Sequence, residues 1–411
     1  MWVRKRIDIG WGHLLGAALG CFLPASRRKA AARAEAAWGT GDAFACLSVR
    51  SGFDLLLADL DLPEGSEVLV SALTIPDMVR IIEHHGLVAV PLDLDDATVA
   101  PRPAELAARV TDRTRAILVA HLLGTRFDLA PFVRFAREHD LLLIEDCAQA
   151  FEGDRCRGHD EADVSMFSFG PIKTATALAG GILRIRDPER RARLRARQAE
   201  YPVQSRAAYL KRVLFFCGLR WLGGRRVFGL FVRVCRLLGR DFDQVLNGSI
   251  RNFPAETFFA SLRRQPCAPL LHLMARRVRT YRNEALDRRA ERGALLARHL
   301  PPESHPGRAA DPHTCWVFPV RVPDPATTVA TLRQHGFDAT ADSSLKPVEA
   351  TDRRPDAAPE TARALLTSAI YLPLYEQMPQ REVERMGRVL EPMVREGVSV
   401  ATGEALPQFR S

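Results

Sequence analysis

Lysine is scarce in this chain of 411 residues. Five lysines stand against 53 arginines, so positive charge is supplied almost entirely by arginine. One of the five, Lys173, lies among small and apolar residues in FSFGPIKTATALAGG, residues 167–181. Arginine keeps its proton in proteins, whereas a desolvated lysine can lose its proton and become a nucleophile. Lys173 is therefore a candidate catalytic residue. The alternative is that Lys173 has no special role and is simply one of the few positions at which the chain uses lysine instead of arginine.

The sequence also lacks metal-like cysteine spacing, internal repeats and long apolar runs. Its eight cysteines include no CxxC pair, which favours a reduced compartment and small buried thiols. We therefore expect no metal site and a cytoplasmic protein. Residues 1–29 carry about fifteen mostly apolar positions between basic clusters, too few to span a bilayer. We interpret this segment as a retained helix, either packed on the body or resting on a membrane surface.

The composition is that of a folded protein with an excess of positive charge. Apolar residues make up 47% and charged residues 26% of the chain, which is typical of globular domains. Its length is too great for one hydrophobic core, so we expect a large domain and a smaller one. The net charge of +9 favours an acidic partner, such as nucleic acid, an anionic membrane or a phosphorylated substrate.

Short β-rich runs alternate with helix-like runs between residues 44 and 186. The β-rich runs are FACLSV, EVLVSA, LVAVPLD, RAILVAH, LLLIED, DVSMFSF and GGILRIR. This alternation predicts an α/β fold with a mostly parallel seven-stranded sheet and helices on both faces. Ligands bind beyond the carboxyl ends of such strands. The residues that close the runs are Thr74, Asp93, His121, Asp146 and Ser168.

Asp146 and Lys173 form the pair with the clearest chemical meaning. Asp146 ends one strand, and Lys173 follows 27 residues later, just past the next strand. Pyridoxal phosphate needs a lysine for a Schiff base and a carboxylate to keep its pyridine nitrogen protonated. Ser51 and Gly52, at a strand-to-helix turn, offer a helix N-terminus for a phosphate, to which Ser168 can add a hydroxyl. The alternative for Ser51 and Gly52 is an ordinary helix start.

LLLIEDCAQAFEGD, followed by DVSMFSFGPIKTATALAGGIL, resembles the DegT/DnrJ/StrS family of pyridoxal-phosphate sugar aminotransferases. SIRNFPAETFFASLRRQ and AIYLPLYEQMP are similar to later segments of that family. The likeness covers roughly residues 30–395, apart from a basic insertion. It implies a fold-type-I pyridoxal-phosphate transferase, at least a homodimer, and a nucleotide-linked keto-sugar as acceptor.

The resemblance also implies roles for single residues. Lys173 would hold the cofactor and move the proton, Asp146 would pair with the pyridinium nitrogen, and Gln149 would contact the ring hydroxyl. The phosphate would be bound by Ser51, Ser168 and the backbone at Gly52 and Phe53. Asn252 would reach the cofactor of the neighbouring subunit. His121 matches a family histidine near the cofactor, with a structural role as the alternative. Lys346 and Tyr375 lie in segments that border the substrate in the family.

The sequence departs from the family pattern at several of these positions. Gly170 stands where a histidine is usual, Phe53 replaces a hydroxyl donor, and Ile75 replaces an aromatic residue that would stack on the cofactor ring. Ala179 replaces a glutamate. These changes leave the substrate open. Relatives that dehydrate a sugar replace the lysine with histidine, so the retained Lys173 favours transamination.

A basic, apolar insertion is the most individual feature of the chain. Residues 209–240 contain eight basic residues and no acidic residue. They form either a helical pair packed on the protein or an interfacial segment on an anionic membrane surface. We expect no nucleic acid partner, because bases do not stack on aliphatic side chains, which predominate in this segment.

The expected segments are an N-terminal segment at 1–29, a large cofactor-binding domain at 30–265 with the insertion at about 205–245, a smaller α+β C-terminal domain at 266–395 and a tail at 396–411.

The resulting functional hypothesis is a pyridoxal-phosphate-dependent aminotransferase. It would move an amino group from glutamate to a keto group of a nucleotide-linked or lipid-linked sugar through a Lys173 Schiff base. Two alternatives stay open, a lyase or dehydratase on a similar substrate and a catalytically idle membrane-associated scaffold. We expect the protein in the cytoplasm, with a peripheral position on the inner face of the membrane as the corollary of the insertion.

Overall fold

A central sheet organises the larger part of the molecule. The computed structural model describes residues 1–4, 6–238, 257–352 and 354–402. The strands of this part are β1 (Ala43–Cys46), β2 (Glu67–Ser71), β3 (Leu73–Thr74), β4 (Val88–Leu92), β5 (Thr114–Ala120), β6 (Leu142–Asp146), β7 (Val164–Ser168) and β8 (Gly181–Ile185). All except β3 belong to one seven-stranded sheet with the order β1-β8-β7-β6-β5-β2-β4. β8 pairs antiparallel with β1 and β7, and the other pairs are parallel. The predicted mostly parallel sheet is confirmed.

Helices cover both faces of this sheet. They are α1 (Trp11–Gly20), α2 (Arg27–Trp38), α3 (Val49–Leu60), α4 (Pro76–His84), α5 (Leu106–Arg109), α6 (Ala130–Glu138), α7 (Pro188–Ala199), α8 (Arg206–Leu222), α9 (Arg225–Leu237), α10 (Phe258–Leu262) and α11 (Ala268–Thr280). Neighbouring residues of a strand point to opposite faces. Val70 of β2 accordingly packs with Phe53 of α3, whereas Leu69 packs with Phe132 of α6. Continuous apolar strands are stable here because each face has its own helical cover.

The start of α3 shows how closely the elements approach one another. The Ser48 side chain caps α3 by accepting a hydrogen bond from the Ser51 N–H. Gly52 lies against Leu183 of β8, where an added Cβ would come within 2.5 Å of a methyl group. At Gly181 an added Cβ would lie 2.8 Å from the backbone nitrogen of Val49. Glycine is required at Gly181 because the obstacle is backbone, which cannot rotate away.

A smaller α+β unit follows in the chain. Its elements are α12 (Glu284–Ala297), β9 (Phe318–Arg321), α13 (Pro325–Gln334), β10 (Lys346–Pro347), α14 (Glu360–Ser368), β11 (Ala369–Leu372) and α15 (Gln380–Thr402). β9 and β11 pair antiparallel, and they share a core with Leu296 of α12 and Met386 of α15. β10 instead pairs with β3 of the larger unit, with Lys346 opposite Thr74. This pairing brings the smaller unit to the end of the sheet where ligands are expected.

The N-terminal residues are built into both units. Trp2 packs in the core of the smaller unit, and its neighbour Val3 packs against α9. Leu14 of α1 joins the core that contains α2, α8 and α11. Residues 268–280 pack in the same core, and the predicted start of the small domain at 266 stays a prediction. Within the described residues, no helix combines the length and apolar character needed to cross a membrane.

The contact between β8 and α3 can be tested by substitution. Gly181→Ala should lower the free energy of unfolding by about 1–3 kcal/mol, because the new methyl group must displace the backbone of α3. Urea denaturation measures the change. Gly12→Ala in α1 is the matched control, since its Cβ would meet nothing within 4 Å. Alanine there should stabilise the helix by up to about 1 kcal/mol. Equal stabilities of the two variants would contradict the close approach.

Candidate active site

The carboxyl ends of the parallel strands converge on a narrow cleft. Ser71 and Thr74 from the end of β2 and β3, Ala120 from β5 and Asp146 from β6 line it. Lys173 lies in the turn that follows β7, the strand next to β6. The predicted convergence of Asp146 and Lys173 is seen in their mutual electrostatic effect, since each shifts the pKa of the other. The cleft therefore places an amine and a carboxylate at one edge of the sheet.

Burial makes the Lys173 amine unusually easy to deprotonate. Its pKa is lowered by burial to about 8, with the Arg50 charge adding to the shift and the Asp146 charge opposing it. The Lys173 ammonium lies 4.3 Å from the centre of the Trp316 ring, which covers it. Trp316 itself is fixed by a 3.1 Å hydrogen bond from its indole N–H to the Ile172 carbonyl. A lysine in this environment can act as a nucleophile near neutral pH.

The pKa of Asp146 is shifted in the opposite direction, upward. Burial raises the pKa of this carboxyl above its ordinary value, while the nearby Lys173 charge opposes the shift. One Asp146 oxygen accepts a 2.8 Å hydrogen bond from the Ala148 N–H. A carboxylate whose charge is costly to bury gains from a cationic partner, such as a protonated ring nitrogen or the lysine itself.

Four distant segments hold the loop that carries Lys173. Asp8 accepts a 2.7 Å hydrogen bond from the Ala175 N–H. Arg277 of α11 donates to the Thr176 carbonyl at 3.1 Å and to the Asp8 carbonyl at 2.6 Å. On α8, the Tyr209 hydroxyl donates to the Ala177 carbonyl at 3.0 Å and Arg212 donates to the Leu178 carbonyl at 2.5 Å. From α12, Arg289 donates to the Thr174 hydroxyl at 3.3 Å.

The backbone of this loop is strained at two residues. The hydrogen bonds hold Ala175 and Leu178 at positive φ angles of 57° and 69°, which are strained for residues other than glycine.

The predicted phosphate site lies at the start of α3. The Ser51 side chain is buried, and its hydroxyl lies 2.9 Å from that of Ser48. The Gly52 N–H donates to the Ser48 carbonyl at 3.0 Å, so this amide is used within the helix. Phe53 is fully buried in the core on one face of the sheet. The roles of these residues toward a phosphate stay predictions.

Two arginines add positive charge near this helix start. Arg50 lies on the first turn of α3 and forms an ion pair with Asp77 of α4. Its charge helps to lower the pKa of Lys173 and that of Arg212, whose pKa is lowered mainly by burial to about 10. Arg50 is thus within electrostatic reach of two other cations. A region of this charge suits a phosphate group.

Gln149 and Ser168 lie beside these groups. The Gln149 side-chain oxygen accepts a 2.9 Å hydrogen bond from the Leu123 N–H, which leaves its amide nitrogen available as a donor. Ser168 ends β7, and its hydroxyl accepts a 3.4 Å hydrogen bond from the Gly170 N–H. Gly170 has room for a side chain, since an added Cβ would lie 3.5 Å from this hydroxyl oxygen. The backbone at this position would therefore accept a larger residue such as histidine.

His121 is the centre of a buried polar network. Its Nε2 lies 3.0 Å from Glu145, and burial lowers the pKa of His121 despite this partner. Its Nδ1 has no hydrogen-bond partner within the described residues. Although burial opposes ionisation of Glu145, hydrogen bonds from His121 and Ser165 and the charge of Arg126 hold its pKa well below the ordinary value. This network gives His121 a structural role, and its orphaned Nδ1 keeps the predicted cofactor contact open.

The same cluster has the donor types of a metal site. Ligand atoms of His121, Glu145 and Cys147 lie within 4.8 Å of one another. Both Glu145 oxygens, however, already accept hydrogen bonds, one from His121 and Arg126 and the other from Ser165 and the His159 N–H. Burial also raises the pKa of the Cys147 thiol well above its ordinary value. The geometry therefore favours a polar network over a metal centre, and the expectation of no metal stays a prediction.

The predicted substrate residues differ in position. Lys346 is exposed and pairs through its backbone with Thr74 at the edge of the cleft. Tyr375 is in contact with Trp2, at a ring distance of 6.2 Å, and with Arg6. It also packs against the core of the smaller unit, and its contact with the substrate stays a prediction. Asn252 lies outside the described residues.

Comparison with known proteins agrees with this geometry. The sequence pattern of the DegT/DnrJ/EryC1/StrS aminotransferase family matches residues 28–213. These residues, somewhat less than half of the chain, are thus similar to that family. GDP-perosamine synthase of Caulobacter vibrioides is 34% identical over 160 residues, which are 38% of this chain and 43% of that protein. UDP-N-acetyl-3-dehydro-alpha-D-glucosamine 3-aminotransferase of Acidithiobacillus ferrooxidans is 32% identical over 197 residues, 47% of this chain and 53% of that protein. The chain thus matches only about half of the length of these curated relatives.

A solved structure extends the likeness to the whole fold. The aminotransferase TlmJ from Streptoalloteichus hindustanus aligns over 98% of this chain and all of its own, with a TM-score of 0.69 and 19% identity. The predicted fold-type-I architecture, an α/β fold with a mostly parallel seven-stranded sheet, is therefore confirmed.

Sequence reasoning missed several residues around Lys173. Neither Arg50 nor Trp316 was considered. Asp8 and Arg277, which hold the Lys173 loop, lie far from it in sequence. A signal existed for Arg50 alone, because a basic residue on the first turn of a helix next to a proposed phosphate site is an evident anion ligand.

The titration of Lys173 tests the arrangement directly. In the folded protein its reaction with an amine-acylating reagent, followed by mass spectrometry of the peptide that carries it, should have a midpoint near pH 8. The same lysine in the unfolded chain should titrate near its ordinary pKa of 10.5.

Two substitutions should move this midpoint in opposite directions. Asp146→Asn removes a charge that favours the ammonium, so the midpoint should fall by about one pH unit. Arg50→Gln removes a charge that disfavours it, so the midpoint should rise. Shifts of the same sign, or an unmoved midpoint in Asp146→Asn, would show that these side chains do not lie around one amine.

Proposed function

We propose that the protein is a pyridoxal-phosphate-dependent sugar aminotransferase. The observation that carries the proposal is the buried Lys173, which lies within electrostatic reach of Asp146 and whose pKa is lowered to about 8. The similarity of residues 28–213 to the aminotransferase family supports it, and so do the activities for which the curated relatives are named, which include a 3-aminotransferase of a UDP-linked sugar.

The residues present suit the proposed cofactor. Lys173 would bind its aldehyde, Asp146 would face its ring nitrogen, and the Gln149 amide would donate to its ring hydroxyl. Ser51 and Ser168 would contact the phosphate, with Arg50 adding charge in place of the hydroxyl that Phe53 lacks. The bound cofactor supplies an electron-accepting ring that stabilises charge on the substrate carbon.

The protein side chains supply proton movement and exclusion of water. With a pKa of about 8, roughly a tenth of the Lys173 amine is neutral at pH 7, enough to accept a proton without a separate base. Trp316 covers one side of the amine and limits the access of water. The loop is fixed by a hydrogen bond that it donates to Asp8 and by those that it accepts from Arg277 and Tyr209, so the proton is delivered at a defined position.

We propose glutamate as the amino donor and a nucleotide-linked keto-sugar as the acceptor. The relatives named for GDP- and UDP-linked sugars support the acceptor class. Lys346, opposite Thr74 at the cleft edge, is suited to contact the acceptor, and Tyr375 stays a weaker candidate. We further propose a cytoplasmic homodimer in which Asn252 reaches the cofactor of the partner.

A lipid-linked sugar is the second candidate acceptor. The observation that favours it is α8, which contacts the Lys173 loop through Tyr209 and Arg212 and exposes Leu214 and Trp221 on its outer side. A lyase or dehydratase and an idle scaffold are the remaining alternatives. The lowered pKa of Lys173 speaks against the idle scaffold, because a structural lysine gains nothing from losing its charge.

The visible absorbance spectrum separates these possibilities. Protein incubated with pyridoxal phosphate should show a new absorbance band that is lost on addition of glutamate, because the donor half-reaction consumes the bound aldehyde. Lys173→Ala should lack the band, whereas Lys211→Ala, which removes an exposed lysine of α8, should retain it.

The other outcomes each have a defined meaning. A band that is indifferent to glutamate points to another donor or to a lyase. The absence of any band in the wild-type protein contradicts the enzyme proposal. Mass analysis of products formed from nucleotide-linked and lipid-linked keto-sugars then distinguishes the two acceptor classes.

A further inference from the structure

Exposed apolar side chains are concentrated in three helices. Fourteen large apolar residues are exposed in the described part of the chain, and twelve of them lie within residues 11–23 and 214–238. Large contiguous apolar surfaces are rare on soluble proteins and mark sites of interaction. The twelve residues are Trp11, Leu15, Leu19, Phe22, Leu23, Leu214, Phe215, Trp221, Leu230, Val234, Leu237 and Leu238.

These residues recur at helical spacing. On α1, Trp11, Leu15 and Leu19 follow one another at intervals of four, so they lie on one side of the helix. The opposite side of α1 carries the buried Leu14 and Ala17. α8 and α9 repeat the pattern, with buried stripes toward the protein and apolar residues also on the outer side. A helix that is apolar on both sides needs a second apolar environment.

α1 and α8 lie side by side in opposite directions. Arg206, at the start of α8, donates to the Leu23 carbonyl just beyond the end of α1 at 2.6 Å. Arg220, near the end of α8, lies 5.7 Å from the ring centre of Trp11 at the start of α1. Both helices bury residues in the same core, so their exposed sides face outward from one layer. Phe228 of α9 packs on residues of α8 and the N-terminus beside this layer. We call the outer side of α1, α8 and α9 the exposed apolar face.

The segments that form this face carry only positive charge, although Asp8, which precedes α1, acts on His13 and Arg220. No acidic residue occurs in residues 9–34 or 201–240. Exposed basic residues lie at the start of α2 and on α8 and α9, and none of them has an ion-pair partner among the described residues. They are Arg28, Lys29, Lys211, Arg226 and Arg233. Such a rim can interact with a partner only if the partner brings negative charge.

The two simplest partners for this face are a second copy of the chain and a membrane surface, and the charge distribution favours the membrane. In a two-fold symmetric dimer the same patch meets itself, so basic residues would face basic residues with no acidic group in the patch to pair. A membrane surface with anionic lipids supplies apolar chains and negative charges together. Interfacial helices with basic and large apolar residues bind in this way, lying in the plane of the headgroups.

We propose that the exposed apolar face docks the protein on a membrane surface that contains anionic lipids. The N-terminal helix α1 is part of this face, which thus extends beyond the basic insertion. Docking is peripheral and depends on surface residues of the three helices. It does not depend on the proposed aminotransferase activity.

The position of the face relative to the cleft adds a structural consequence. The inner side of α8 carries Tyr209 and Arg212, which donate hydrogen bonds to the Lys173 loop. A helix with its side chains is about 10 Å across. The loop therefore lies about one helix diameter from the proposed membrane surface, which would favour an acceptor held at that surface.

Vesicle binding tests the proposal with the full-length protein. The protein should sediment with vesicles of phosphatidylcholine mixed with phosphatidylglycerol, and much less with vesicles of phosphatidylcholine alone. The double variant Leu15→Gln/Leu19→Gln should weaken binding to the mixed vesicles roughly tenfold or more, because two apolar contacts are lost. Both positions are exposed, so folding should be unaffected.

Charge variants provide the matched comparison. Arg233→Gln should weaken binding about fivefold, in keeping with the contribution of one basic residue near an anionic surface. Arg134→Gln removes an exposed arginine on α6, which packs on a different core, and should leave binding unchanged. Light scattering of the same proteins measures their oligomeric state, and the glutamate-dependent absorbance change serves as an independent check of the site.

Four results would overturn the proposal. These are no binding to the mixed vesicles, equal binding to both vesicle types, equal effects of Arg134→Gln and Arg233→Gln, or loss of an oligomer in Leu15→Gln/Leu19→Gln without a change in vesicle binding. The last result would assign the face to a second copy of the chain. Vesicle binding without cofactor binding would leave the docking proposal intact and contradict only the proposed function.

Discussion

The desolvation of one amine, that of Lys173, is the constraint on which the site depends. A lysine keeps its proton in water, and its pKa falls to about 8 here because protein surrounds it. Such surroundings require a loop that cannot move away. Asp8 accepts a hydrogen bond from a backbone N–H of the loop, and Arg277 and Tyr209 donate to its carbonyl groups, which meets this requirement. The strained backbone at Ala175 is a consequence of the same fixation. The N-terminus, the insertion and α11 thus each supply a hydrogen bond to the loop, and the position of Lys173 depends on all three segments together.

The parts of this arrangement that are local in sequence could be predicted, and the parts that depend on distant contacts could not. The seven strands and the converging ends of β6 and β7 follow from apolar runs and their closing residues, so Asp146 and Lys173 were identified without a structure. Trp316 and Arg277 contact the loop from more than a hundred residues away, and no periodicity indicates such a contact. His121 shows the limit in another way. Its position was predicted, but its partner Glu145 is one residue from Asp146 and points into a different network.

The replacement of a hydroxyl donor by Phe53, a departure from the family pattern, can be understood from the residues around it. Phe53 removes a hydroxyl donor, and it is fully buried in the core between α3 and the sheet. Three residues earlier, Arg50 places a full positive charge where it acts on both Lys173 and Arg212. For a phosphate, a charge that acts over several ångströms can substitute for a short neutral hydrogen bond. The charge also lowers the pKa of the amine, so in the proposed enzyme Arg50 would affect cofactor retention and proton transfer together.

The helix α8 explains why the insertion was ambiguous in sequence. A helix in water usually has one apolar side, and its pattern then shows which side is buried. Here Tyr209, Val213 and Phe216 are buried against the protein, while Leu214 and Trp221 lie on the outer side. The sequence alone does not show which apolar residues of such a helix face the protein and which face outward. The hydrogen bonds to the Lys173 loop identify the inner side, and the absence of acidic residues identifies the kind of surface that suits the outer one. One helix can therefore support the loop on one side and meet a membrane on the other, because the two functions use different residues.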